Sequence, residues 1–422
     1  MPRSRRALLL TLSLALVAVA PACSGSSPDA ASTPADAEAT TTTTTLAAFD
    51  GSDFYAAPDP IPTDPHGTLV RFQEADFDVP DATAYQIMYT SESIAGDPIV
   101  VTGIASVPTA DAPDDGWPMI TISHGTTGIA DECAPSKDPK LSEFSMTARS
   151  VGDRFLIAAT DYEGLGTPGR HPYLVGESEG RSSIDALLAA RQLPDAHGGT
   201  RFATAGYSQG GHGSLWASQV AADWAPDLDL VGTFAGAPAS EVGLILAAAP
   251  RLPQGGFAYM IVAGLAAAYP DEADPADFLT PKGVELLDAV DTGCATDTFK
   301  AIAGIPVEEL IKPDAFSGAW RDLALAQDAG QEKTNDAPVL IIHSTGDGTV
   351  PLIFTQALEK RMCANGQAVE RRLIDGGGHG AAAVPAYQQA LPWIEARFSG
   401  DGPLEGDPAT AVTNDCAAKA DG

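Results

Sequence analysis

From about residue 98 onward the chain alternates between two hydrophobic patterns. Short apolar runs rich in β-branched and aromatic residues read as strands at 98–107, 118–123, 154–160, 201–207, 228–234, 338–343 and 369–374. Between several of them the apolar positions recur at helical spacing, as at 182–193 and 210–222. Strand–helix alternation of this kind predicts an α/β fold, a mostly parallel sheet flanked by helices on both faces. The stretches 69–77 and 83–91 have no helix between them and are expected to add antiparallel edge strands.

The rhythm breaks between residues 237 and 335. Helical stretches at 241–249, 256–269, 283–289 and 298–303 follow one another with Pro and Gly between them, which predicts a helical insertion. The run 255–269 is apolar but shorter than the ~20 residues a membrane-spanning helix needs. The insertion falls between strands whose carboxyl ends should carry any chemistry, so a cap or lid over a pocket is expected. A helical subdomain packed only for stability is the alternative.

At the N-terminus Arg3, Arg5 and Arg6 precede an apolar run at 7–20, the pattern of a signal peptide. Cleavage after Ala22 would expose Cys23, and Ala20-Pro21-Ala22-Cys23 resembles a bacterial lipobox, so Cys23 is a candidate lipid anchor. Ordinary secretion is the alternative. The following Ser, Thr, Pro and Ala residues, including Thr40 to Thr45, bury too little apolar surface to fold. The expected organisation is a signal peptide (1–22), a disordered tether (23–48), the first part of an α/β core (49–236), a helical cap or lid (237–335) and the second part of the core (336–422). The product would be secreted, or lipid-anchored on the outer face of the cell membrane.

Composition narrows the function. Of 422 residues 44% are hydrophobic, enough for a large core, while 24 Lys and Arg against 56 Asp and Glu leave a net charge of −32. That balance excludes a general nucleic-acid binder, which needs a basic face to displace counterions. It also disfavours docking on anionic lipid. Apart from Cys23 the cysteines are Cys133, Cys294, Cys363 and Cys416. In an oxidising compartment they can pair in three ways, with free buried thiols the alternative. No metal-ligand spacing, dinucleotide loop or Walker loop occurs, so no metal and no cofactor is expected.

The candidate chemistry begins at Gly206-Tyr207-Ser208-Gln209-Gly210, a Gly-x-Ser-x-Gly match. Phe202-Ala203-Thr204-Ala205 before it reads as a buried strand, and Gly211 to Trp216 after it opens a helix. A sharp strand-to-helix turn would lift the Ser208 hydroxyl above the sheet edge as a nucleophile. The Gln209 amide, at the helix N-terminus, would then face a developing oxyanion. Asp347 follows the strand 338–343, and His379 follows the strand 369–374 in Asp375-Gly376-Gly377-Gly378-His379-Gly380. His379 is expected to serve as general base and acid, with Asp347 orienting it. Asp375 is a rival acid that shares the histidine's loop. His343 reads as a packed core histidine, and His212 sits on the helix after the serine. A second oxyanion donor is expected from Gly125 or Thr126, in the loop after the strand 118–123, where His124 could wall the pocket.

Cys133-Ala134-Pro135-Ser136, Asp161-Tyr162-Glu163-Gly164-Leu165-Gly166, His171-Pro172-Tyr173, Gly180-Arg181-Ser182 and Gly206 to Gly211 together carry a resemblance. From about residue 60 to Cys416 the chain resembles the secretory lipase family of the α/β-hydrolase superfamily, which includes Candida-type lipase A and exported actinobacterial relatives. The resemblance implies an α/β-hydrolase fold with a helical lid. It also implies hydrolysis of lipid esters, acylglycerols among them, by a triacylglycerol lipase or carboxylesterase. It matches the triad to Ser208, Asp347 and His379 and the second oxyanion donor to the neighbourhood of Gly125, where Ser123-His124-Gly125-Thr126 replaces an acidic turn. The disulfides it implies are Cys133–Cys294 and Cys363–Cys416. Two other classes remain: a serine peptidase of the prolyl-oligopeptidase type, for whose large N-terminal domain the chain has little room, and a catalytically dead lipid-binding module.

Overall fold

The computed structural model describes residues 46–249, 255–333, 335–399 and 414–416. The expected signal peptide, Cys23 and the tether as far as residue 45 lie outside them.

Among the described residues nine strands form one sheet: β1 (Leu69–Glu74), β2 (Ala82–Glu92), β3 (Pro98–Pro108), β4 (Trp117–Ser123), β5 (Leu156–Thr160), β6 (Gly198–Tyr207), β7 (Asp229–Gly236), β8 (Val339–Ser344) and β9 (Val369–Ile374). Their order across the sheet is β1-β2-β3-β5-β4-β6-β7-β8-β9. From β5 to β9 the pairings are parallel, as the strand–helix rhythm predicts. The antiparallel edge extends one strand further than the two expected, because β3 runs antiparallel to both β2 and β5. Only a short turn at Ser93–Asp97 joins β2 to β3, closed by the Ser93 N–H donating to the Asp97 carbonyl at 3.0 Å. A parallel pairing would need a crossover of about a dozen residues or more.

The helices are α1 (Glu143–Val151), α2 (Gly176–Ala190), α3 (Gln209–Trp224), α4 (Val242–Ala248), α5 (Gly255–Ala268), α6 (Pro275–Phe278), α7 (Pro281–Glu285), α8 (Ala295–Ile302), α9 (Gly318–Ala326), α10 (Leu352–Ala364) and α11 (His379–Phe398). On one face of the sheet α1 and α11 bury Phe144, Tyr387 and Trp393 against Ile122, Phe234 and Ile342. On the other, α2 and α3 bury Ile184, Leu187 and Ala217 against Met119, Leu156 and Phe202. Both faces being covered, β5 and β8 are buried at every position.

Helices α4 to α9 carry a separate apolar core in which Met260, Ile261, Phe278 and Trp320 are buried. It packs onto Tyr173, Leu174 and Val175, the residues that lead into α2. The approach is closest at Gly264 of α5, where a Cβ would lie 2.4 Å from the Tyr173 backbone nitrogen. Cys133 is disulfide-bonded to Cys294, which joins the loop after β4 to the start of α8. Cys363 is bonded to Cys416, tying the chain end to α10.

Candidate active site

The loops that follow β4, β6, β8 and β9 converge at the carboxyl edge of the sheet. Between β6 and α3 the chain reverses within one residue, and Ser208 takes φ +63° and ψ −120°. A non-glycine residue in this region carries strain of ~1–3 kcal/mol. Two glycines make the turn sterically possible, since a Cβ at Gly206 would meet the Gly210 carbonyl at 2.0 Å and one at Gly210 the Ser123 carbonyl at 2.0 Å. Hydrogen bonds hold the strained residue on both sides: the Ser208 N–H donates to the Gly236 carbonyl at 2.8 Å, and the Ala239 N–H donates to the Ser208 carbonyl at 3.2 Å.

His379 opens α11, with its backbone carbonyl accepting from the Tyr207 hydroxyl at 2.8 Å. Its Nε2 lies 2.8 Å from Ser208 Oγ and its Nδ1 2.6 Å from Asp347 Oδ2. The carboxylate fixes the proton on Nδ1, leaving the Nε2 lone pair to accept from the serine hydroxyl. The Asp347 side chain is buried, and its Oδ1 accepts from the Thr349 and Val350 amides at 2.8 and 2.9 Å. Burial alone would raise its pKa. Hydrogen bonds from His343 and His379, the His379 charge and the Val350 amide outweigh burial and hold the carboxyl below the usual range.

His343 is buried as expected, with Nδ1 2.9 Å from Thr355 Oγ1 and Nε2 donating to the Val350 carbonyl at 3.0 Å. It also stands 3.3 Å from Asp347 Oδ2, a contact that its place inside an apolar run did not suggest. Asp375 turns away to Thr345, whose hydroxyl donates to it at 3.3 Å. His124 Nδ1 lies 2.6 Å from the Gly125 carbonyl and its Nε2 3.2 Å from the Asp161 carbonyl, while its ring lies against Tyr162. His212 is buried on α3 against Glu179.

The two expected second oxyanion donors differ. The Gly125 N–H is already engaged, donating to Glu143 Oε1 at 3.0 Å. The amides of Thr126 and Gln209 have no hydrogen-bond partner among the described residues. Thr126 is held instead by its hydroxyl, 2.8 Å from the Tyr173 hydroxyl. Glu143 is a site residue that the sequence reading missed. It is the first residue of α1 and belongs to no motif, and only the docking of that helix brings it to the loop.

Two cavities meet at Ser208. One of about 350 Å³ runs under the insertion and is apolar, lined by Leu244, Ile245, Phe257, Val350 and Phe354. The other, of about 690 Å³, opens on the side of Thr126, Glu143, Tyr207, Thr296 and His379. An ester held at the serine can thus place its two halves in separate cavities.

A family model described as secretory lipase matches residues 142–406. Related proteins include a probable inactive lipase of Mycobacterium tuberculosis, 24% identical over 79% of each chain. A secreted triacylglycerol lipase of Malassezia restricta is 26% identical over 83% of this chain and 80% of its own. A lipase of Candida albicans is 24% identical over 86% and 84%. Among solved structures, Candida antarctica lipase A in its closed state matches with a TM-score of 0.71 at 21% identity, covering 83% of this chain and 86% of that one. A rice cell wall degrading esterase of Xanthomonas oryzae matches at 0.65 and 18%, covering 78% and 96%. These structural likenesses are of fold.

Proposed function

The chain belongs to the secretory lipase family, and from that premise we propose that it is an extracellular serine hydrolase cleaving carboxylic esters of lipids through an acyl-enzyme on Ser208. One relative is described as a probable inactive lipase, so membership alone does not carry activity. The observation that does support it is the unbroken series Ser208 Oγ, His379 and Asp347, with contacts of 2.8 and 2.6 Å.

In this mechanism His379 Nε2 takes the serine proton as Oγ attacks the ester carbonyl. Asp347, held ionised by its donors, stabilises the imidazolium that forms. The carbonyl oxygen becomes an oxyanion and accepts from the Gln209 and Thr126 amides, neither of which has a hydrogen-bond partner among the described residues. Gly125 would serve only after its amide left Glu143. His379 then protonates the departing alcohol, and a water molecule repeats the sequence to release the acid.

The apolar cavity is assigned to the acyl chain and the helices within 237–335 to a cap above it. The signal peptide at 1–22 and the tether at 23–48 belong to the same reading, as does a lipid anchor at Cys23. Partitioning into detergent that disappears in Cys23→Ser would support the anchor, and unchanged partitioning would remove it.

Hydrolysis of p-nitrophenyl esters from two to sixteen carbons, below and above micelle formation, tests the substrate class. Preference for long chains with a jump at the interface makes the chain a lipase. A short-chain optimum without a jump makes it a soluble esterase. Cleavage of aminoacyl-proline amides in preference to all of these esters would contradict the proposal.

A further inference from the structure

The side chain that follows the nucleophile is tethered from two sides. Gln209 is buried, with Nε2 2.8 Å from Glu179 Oε1 and 3.0 Å from His171 Nε2. His171 Nδ1 lies 3.0 Å from the Glu163 backbone carbonyl, which can only accept, so Nδ1 carries the proton and Nε2 presents a lone pair. Burial, with His124 nearby, lowers the His171 pKa to about 3, which agrees with a neutral ring. Both neighbours of the Gln209 nitrogen are therefore acceptors. A flipped amide would set its oxygen against two lone pairs, so one orientation remains.

Glu179 continues the network. Its Oε1 also accepts from the Leu174 N–H at 3.2 Å, and its Oε2 lies 2.7 Å from His212 Nδ1. His212 Nε2 donates to the Gln327 carbonyl at 2.8 Å, so that nitrogen carries a proton. One further proton is needed between Nδ1 and Oε2 to make the remaining bond. On either atom it leaves the buried pair neutral as a whole, so the pair adds no net negative charge beneath an oxyanion. The His212 backbone N–H donates to the Ser208 carbonyl at 3.1 Å, the ordinary helical bond that begins α3. The network thus grips the elbow turn through the side chain at 209.

We propose that Glu179, with His212 and His171, is a positioning device for the oxyanion: it clamps the Gln209 side chain so that the Gln209 backbone N–H stays aimed at the ester carbonyl oxygen. The proposal rests on Ser208 being the nucleophile of an ester hydrolase. Glu179, His212 and His171 touch no reacting atom; they are positioning residues that act through Gln209. Removing one oxyanion donor outright costs about 10²–10³ in kcat, and misaiming it costs less.

The test is kcat and KM on a p-nitrophenyl ester, expressed per serine labelled by a fluorophosphonate probe, so that misfolded chains do not count. Glu179→Ala is expected to lose ~10-fold or more in kcat with KM within about threefold. Glu179→Gln can still accept from Gln209 and can donate to a neutral His212, so it is expected to recover most of that loss. Gln209→Ala removes the tether and keeps the backbone donor, and it is expected to reproduce the Glu179→Ala loss even if Glu179→Ala does not fold. Wild-type kcat per labelled serine in Gln209→Ala, or a Glu179→Gln enzyme as slow as Gln209→Ala, would overturn the proposal. A wild-type chain that neither labels nor turns over would overturn the ester-hydrolase reading, and the tether's role with it.

Discussion

The carboxyl edge of the sheet and the helical insertion meet at Ser208, yet they are built in opposite ways. At the sheet edge each reacting group sits in a loop or turn just beyond a strand and is fixed by short polar contacts: Asp347 by two amides and two histidines, and His379 by Asp347 and the Tyr207 hydroxyl. In the insertion the walls of the apolar cavity come from helices held mainly by hydrophobic packing, with Leu244 half exposed at its rim. Directional bonds suit groups that must keep one geometry through a reaction. Apolar packing suits a wall that need only be the right size and free of water. The reaction should therefore be lost by changes at the edge, whereas changes in the insertion should alter substrate choice and stability.

The largest effect is expected at the edge. Ser208→Ala should lower kcat on any ester by roughly 10³ or more with an unchanged Tm. Asp347→Asn should cost a similar factor, ~10³–10⁴, because the amide can stabilise the wrong imidazole tautomer. Retained activity there would move the acid role to Asp375.

Changes in the insertion sharpen the contrast. Gly264→Leu forces a side chain against the Tyr173 backbone, and such overpacking costs about 1–3 kcal/mol. Thermal unfolding should show it as a lower Tm, with the wild-type rate on short-chain esters retained below the transition. Phe257→Ala should enlarge the apolar cavity and shift the preferred acyl length, changing kcat/KM ratios between chain lengths by ~10-fold while short esters keep their rate.

The smallest effect concerns a carboxylate at the root of the insertion. Asp328 accepts from the Gly243 N–H at 3.0 Å, and burial raises its pKa to about 6. A folded-state pKa above the unfolded value near 4 means that its stabilising contribution is present below pH ~4 and lost as pH rises through 6. Asp328→Asn should raise Tm at pH 8 and leave it unchanged at pH 4. An equal change at both values would show that the titration plays no part. Asp347, held below the usual range, should show no such effect anywhere near neutral pH.

The same contrast explains what could be read from the amino-acid order. The alternating pattern placed most of the sheet, and Ser208, Asp347 and His379 stood out because each lies in a short, glycine-flanked segment directly after a strand. Local order carries that information. The residues that support them are bound across 18, 30 and 33 positions, in the contacts of Glu143 with Gly125, Glu179 with Gln209 and Glu179 with His212. These contacts depend on how α1, α2 and α3 dock, and no motif marks them. Helix α9 carries no such signal, because its nine residues begin at Gly318 within a stretch rich in Pro, Gly and Asp. The third antiparallel strand, β3, reads like its parallel neighbours by composition, and only the short turn before it gives its direction.

Mass spectrometry of the purified chain after treatment with a fluorophosphonate tests the central claim most directly. The account predicts one adduct, on the peptide that carries Ser208, and none in Ser208→Ala. Failure of the wild-type chain to react, or an adduct on another residue, would contradict it.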